Sequence, residues 1–274
     1  MVPATRERTC ITRAVPPAAW RAHALLLSLV LALPGTPAGA VPPQDEDPWY
    51  GDADDGEYYS VDERLAQFRE RATRRLAPYF LAAGVDYPPA SVVLLGLKEE
   101  RRLELYAASP GGELRFIRYY PVIGASGTSG PKLEEGDRQV PEGLYTLSAL
   151  NPNSRFHVSL KVDYPNRFDR LMARVEGRSN PGSNIFIHGG SDSAGCLAMS
   201  DGVAEQLFML AADTGLGNIS VILSPRDLRT ARAPEPHEDD VPTWSPHLYA
   251  IIERAMRPLP APASHWAHMS HRLE

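Results

Sequence analysis

Three strand-length apolar segments set close together constrain this chain more than any other feature: Ser91 to Leu97, Arg102 to Ala107 and Leu114 to Tyr120. Only a turn around Lys98-Glu99-Glu100 and the turn Ser109-Pro110-Gly111-Gly112 separate them. Connections that short join antiparallel neighbours, so the spacing predicts a β-meander. Leu144 to Leu150 and Phe156 to Val162 add two strands around the turn Asn151-Pro152-Asn153-Ser154, and Ile185 to Ile187 and Asn218 to Leu223 add two more. Helical spacing is confined to four places. Ser60 and Glu63 form a capping box ahead of Val61, Leu65, Phe68, Ala72 and Leu76, a pattern that Pro78 is expected to end. Phe168 to Glu176 reads as a short helix. Gly202 to Asp213 carries Val203, Leu207, Leu210 and Ala211 on one face with Gly215 as its cap, and Leu248 to Met256 is a candidate docking helix. The fold class expected is a β-rich α+β domain.

Between the meander and the next strands lies Gly124 to Gly143, GASGTSGPKLEEGDRQVPEG. A polar loop of this length inside a compact domain is usually functional, and its prolines and glycines favour an ordered wall. Asp137, Asn151 and Asn153 are of the type that shapes loops through side-chain to backbone bonds.

Chemistry concentrates in Asn184 to Ser200, NIFIHGGSDSAGCLAMS. The apolar run places His188 at a strand end, and eight residues later comes Cys196, expected just before a helix whose first amides favour a thiolate and can receive an oxyanion. A histidine on the neighbouring loop supplies the base that a cysteine nucleophile needs. The cysteine count strengthens this pairing. The first forty residues carry Arg6, Arg8, Arg13 and Arg21, the apolar segment Ala24 to Leu33 and the small-x-small site Ala38-Gly39-Ala40, a secretory leader. Cys10 leaves with that leader, so Cys196 becomes an unpaired thiol in an oxidising compartment, a liability unless it is buried or used.

Losing residues 1–40 takes four Arg and one Glu from the 28 basic and 34 acidic residues, leaving a net charge of about −9. An acidic exported protein is no nucleic-acid binder. Residues 41–59 are expected to be an acidic flexible linker, 60–90 an N-terminal helical segment, 91–224 the catalytic domain, and 225–274 a Pro-rich C-terminal extension. His265, His268 and His271 lie in that extension without Cys or carboxylate companions and read as an unstructured tail rather than a metal site. No cofactor fingerprint is present, and a redox function would want a second, resolving cysteine.

IHG followed after a short gap by SAGCLAM, with the upstream GPKLEEGDRQVPEGLY, NPNSRFHVSL and YPNRFD, resembles the YafK-like branch of the L,D-transpeptidase catalytic (YkuD) family, over roughly Ser91 to Ser224. The resemblance implies a mixed β-sheet or partial barrel with flanking helices, in the periplasm or cell envelope, acting on peptidoglycan stem peptides and open to carbapenem-type inhibitors. Carried over by position, Cys196 matches the nucleophile, His188 the base, and Ser193 and Gly195 the outer residues of the nucleophile motif. The wider family has a second histidine at Ala194 and an arginine at Ala198; those departures fit the YafK-like branch. Gly189 and Ala194 complete the expected substrate-binding set with Lys132 and Arg138, cations that could clamp a stem carboxylate or simply be solvated loop charges. Three functions compete: a cross-linking transpeptidase, a thiol hydrolase that cuts a stem peptide or releases a wall-attached lipoprotein, and a non-catalytic wall-binding protein.

Overall fold

The computed structural model of the chain describes residues 58–234 and 242–261. The leader expected over 1–40, most of the linker, and the histidine tail lie outside the described residues.

Helix α1, Val61–Ala83, begins at the expected capping box: Glu63 N donates to Ser60 Oγ at 3.3 Å and Ser60 N to Glu63 Oε2 at 2.8 Å. It does not stop at Pro78. A proline inside a helix costs about 3 kcal/mol, but Leu76, Tyr79 and Phe80 on either side of it are all buried, and each such burial stabilises by about 1.5–3 kcal/mol. The helix runs on until Gly84, whose φ of +64° gives the left-handed cap.

The strands are β1 (Ser91–Leu97), β2 (Arg102–Ala108), β3 (Arg115–Pro121), β4 (Gly143–Ser154), β5 (His157–Val162), β6 (Phe186–His188), β7 (Leu197–Ala198) and β8 (Ile219–Ser224). β1, β2 and β3 form the expected antiparallel meander. The turn after β4 falls later than expected: β4 runs through Asn151–Ser154 with a register shift there, and the chain reverses at Arg155-Phe156 before His157 at φ +72°. β8 pairs parallel with β1 and antiparallel with β4, so the last long strand sits in the middle of the eight-stranded order β3-β2-β1-β8-β4-β5-β6-β7.

The two ends of that order meet. The chain leaving β3 bridges to β7, with Ile123 N donating to Ala198 O at 2.9 Å and Ala198 N to Gly124 O at 2.8 Å. The sheet thus curls into the partial barrel expected, and Gly124 is what lets it close: a Cβ there would come within 2.2 Å of Ser191 O. One sheet face packs on α1 and on α3 (Asp201–Thr214); the other buries Leu95, Leu97, Tyr106 and Ile222 against Leu248, Tyr249, Ile252 and Met256 of α4 (Ser245–Met256). The candidate docking helix therefore docks. The short helix α2, Arg167–Val175, starts at an Asn166 capping box.

Candidate active site

The parallel pairing of β6 and β7 builds the site. Ile187 aligns with Leu197 and His188 with Ala198. Cys196, one residue before β7, therefore falls beside Phe186, on the sheet face that also carries His188, because strand side chains alternate. Phe186 N donates to Cys196 Sγ at 3.4 Å, and the thiol faces Asn184 O at 3.7 Å. Its surroundings differ from the expected helix start. Helix α3 begins only at Asp201, five residues on, so its amides are not those nearest Cys196. The intervening residues Leu197 and Ala198 are strand, because pairing to β6 and to Gly124 satisfies their backbone in a buried place.

Electrostatics follow from that burial. Cys196 is 0% exposed, and burial pushes its thiol up to about 12, against the weaker opposing pull of the Phe186 amide and the Lys132 charge. The resting group is a neutral thiol. His188 is held by Nδ1 donating to Gly189 O at 2.6 Å, since a carbonyl can only accept; the neutral ring then carries its lone pair on Nε2. The ring lies 4.6 Å from that of Phe156. Burial lowers the His188 pKa from 6.5, so the imidazole is neutral near pH 7 and can accept a proton. A direct consequence is testable: alkylation of Cys196 by iodoacetamide at pH 7 should be at least about a hundredfold slower in the folded chain than in urea, and comparable rates would disprove the buried, protonated thiol.

The long loop is an ordered wall, tied at three points. Lys98 Nζ donates to Gly130 O, Val140 O and Glu142 Oε1, each at 2.9 Å, and Gly130 N donates to Glu142 Oε1 at 2.8 Å. Asp137 accepts from the amides of Leu133, Glu134 and Gln139 and from Lys132 Nζ at 2.6 Å. Ser126, which sequence reasoning passed over, ties the loop to the nucleophile motif: its amide donates to Ser193 Oγ at 3.1 Å and its Oγ accepts from Gly195 N at 2.7 Å. Ser193 Oγ in turn donates to Cys196 O at 2.7 Å. The Gly195 amide, a candidate oxyanion donor, is thus occupied by Ser126 in this state. Only its place in a glycine-rich loop marked Ser126 in the sequence; no local pattern pairs it with a residue 69 positions away.

The expected cations part company. Lys132 is buried, bonded to Asp137 and to Glu134 O at 2.7 Å, and braces the loop from inside. Arg138 is exposed at φ +56° and makes no ion pair among the described residues. Gly189 is buried, with its amide donating to Phe156 O at 3.1 Å, and Asp201 Oδ1 accepts from Gly190 N at 2.9 Å to hold the turn after His188. Ala194 is exposed beside the thiol loop. Asn153 fixes the chain entering α1 by bonding both Tyr59 N and Tyr59 O.

Residues 92–220 match the family model of the L,D-transpeptidase catalytic domain, YkuD. This stretch is a YkuD domain. The chain is 34% identical over 113 residues to YafK of Escherichia coli, a protein provisionally named an L,D-transpeptidase; the match covers 40% of this chain and 43% of YafK, so the chain spans less than half of that relative's length. Among solved structures, the helical cell shape determining protein Pgp2 from Campylobacter jejuni is 21% identical with a TM-score of 0.41, covering 57% of this chain and 56% of Pgp2. Bd1075 from Bdellovibrio bacteriovorus is 24% identical with a TM-score of 0.35, covering 50% of this chain and 53% of its own. Both are similar in part of their length only. The match assigns residues 92–220 to the L,D-transpeptidase catalytic domain family. Among the described residues no three His, Cys, Asp or Glu side chains converge as metal ligands, and no helix is long and apolar enough to cross a membrane.

Proposed function

We propose that the chain is an exported cysteine acyltransferase acting on peptidoglycan stem peptides, and that it forms cross-links. The observation that supports this reading is the β6–β7 pairing, which puts Cys196 and His188 on one sheet face; the Nδ1 bond to Gly189 O leaves Nε2 to act as the proton acceptor in this reading. No thiolate stands ready, so His188 Nε2 removes the proton as Cys196 Sγ attacks the stem carbonyl. The C–N bond then breaks, the proton passes from His188 to the leaving amine, and a thioester remains on Cys196. Attack on the thioester by the side-chain amine of a second stem regenerates the thiol and leaves a cross-link; attack by water would make the enzyme a hydrolase of a stem peptide or of a wall-bound lipoprotein. Gly195 N becomes available to the oxyanion when substrate displaces Ser126 Oγ, a donor whose loss typically costs about a hundredfold in rate. Arg138, exposed and without an ion pair among the described residues, is the cation offered to a stem carboxylate. The basic and apolar leader over residues 1–40 supports placement in the periplasm or cell envelope.

The deciding experiment incubates the purified chain, freed of residues 1–40, with tetrapeptide and pentapeptide muropeptides and follows products by mass spectrometry. Dimers with loss of the terminal residue support cross-linking. Shortened monomers alone replace it with hydrolysis, and no product together with no carbapenem adduct leaves a wall-binding protein. The pH dependence has a definite sign. Because burial lowers the His188 pKa, the base stays neutral through the ordinary imidazole range, and activity should fall only as pH drops below 6.5, through the lowered value. An acid limb centred above pH 6.5 would remove His188 as the base.

A further inference from the structure

A cavity of about 540 Å³ is lined by Arg75 of α1, Arg118 of β3, and Ser200, Asp201, Gly202 and Gln206 at the amino end of α3. Arg118 is the unusual member. Only 6% exposed, its guanidinium lies between two aromatic rings, 4.1 Å from the centre of Tyr79 and 4.3 Å from that of Tyr120. Among the described residues it makes no ion pair. Among those residues its one hydrogen bond is a long one, Nη1 to Gln206 Oε1 at 3.4 Å, and Nε has no partner. Two cation–π contacts offset part of the cost of burying this charge, but a buried guanidinium without a counterion remains expensive, and its side chain lines the cavity. Gln206 cannot turn to help further, because its Nε2 donates to Gly202 O at 2.8 Å.

A second cation lines the cavity. Arg75 is half exposed and reaches Glu205 only at 4.0 Å, a carboxylate already held by Arg71 at 2.6 Å and His157 at 2.9 Å. Its guanidinium lies over the first turn of α3, where a Cβ on Gly202 would come within 2.3 Å of Nη1. The N-cap Ser200 makes no side-chain cap bond, so that helix end keeps its positive character. The one opposing group is Asp201, whose Oδ1 is turned to Gly190 N.

We propose that this cavity binds a carboxylate, which Arg118 and Arg75 clamp at the amino end of α3. A planar carboxylate offers two oxygens to a guanidinium fork, the pairing that Arg118 lacks. Both a peptide's terminal carboxylate and a free small acid share this chemistry. The inference does not depend on the proposed acyl transfer, and the test is run on both the wild type and Cys196→Ala so that the two stand or fall separately.

Binding of N-acetylalanine, N-acetylalaninamide, acetate and inorganic phosphate would be followed by calorimetry at low salt. N-acetylalanine is expected to bind, at least tenfold more tightly than its amide, with affinity falling as salt rises. Arg75→Gln should weaken it about tenfold, and Arg118→Met should abolish it; should Arg118→Met fail to fold, the half-exposed Arg75 still carries the test. Acetate as tight as N-acetylalanine identifies a free small acid as the ligand; acetate much weaker identifies a peptide end. Equal binding of acid and amide, binding untouched by both substitutions, or preference for phosphate over every carboxylate would overturn the proposal.

Discussion

Replacing Cys196 with alanine should abolish thioester formation and all product, a loss of at least about a thousandfold in turnover. The effect is large because no other nucleophile stands in for it: Cys196 is the free cysteine of the described residues, and the serine nearest it in the motif, Ser193, holds Cys196 O with its hydroxyl hydrogen. The substitution should cost little fold. A methyl group fits where a buried sulfur sat, and the Phe186 amide loses only a long 3.4 Å contact. Mass spectrometry of the intact chain after carbapenem treatment reads the result directly. An adduct on Cys196→Ala equal to that on the wild type would place the acylated residue elsewhere. There is also a signature in stability. The folded thiol's pKa is raised above its ordinary 9.0 to about 12, so an unfolded chain ionises first as pH rises. The wild type should lose stability between pH 9 and 12 that Cys196→Ala keeps.

The second large effect concerns the wall of the site. Glu142→Ala should destabilise the domain by about 3–5 kcal/mol, the usual consequence of removing one partner of a buried ion pair. Glu142 is fully buried, and one of its oxygens receives both Lys98 Nζ and Gly130 N. Its removal strands an ammonium that is itself almost wholly buried and whose pKa burial already lowers. The double variant Lys98→Met with Glu142→Leu should recover most of the loss, because two apolar side chains remove both desolvation costs at once. Urea denaturation of the three chains decides the matter; a double variant as unstable as Glu142→Ala would show that the loop bonds to Gly130 and Val140, and not the stranded charge, carry the effect. Because this pair anchors the loop that brings Ser126 to the thiol motif, Glu142→Ala should also speed alkylation of Cys196.

Much of the architecture is local enough to be legible in the chain. The meander followed from turns too short for anything else, and the start of α1 from its capping box; a strand end followed by a glycine-flanked loop singled out His188 and Cys196 as candidates. Errors fell where a local signal met a stronger distant one. Pro78 breaks helices in isolation, yet the burial of Tyr79 and Phe80 carries α1 through it. The turn expected at Asn151–Ser154 became the end of β4, because β5 pairs along it.

The sequence by itself determined most of the elements and singled out Cys196, His188 and the loop beside them as candidates, since capping, turn chemistry and apolar spacing all act within a few residues. Tertiary structure alone decided three things. It placed β8 in the middle of the sheet, closed the barrel at Gly124 and Ala198, and set the protonation of the site. Pairing partners far apart in sequence are chosen by what buries the shared core, and the pKa of a thiol is fixed by its desolvation, which no stretch of sequence records. For the same reason Lys132 and Arg138, alike as loop cations in the sequence, separated into an internal brace and an exposed charge, and the buried guanidinium of Arg118 came into view only once two tyrosines had folded around it.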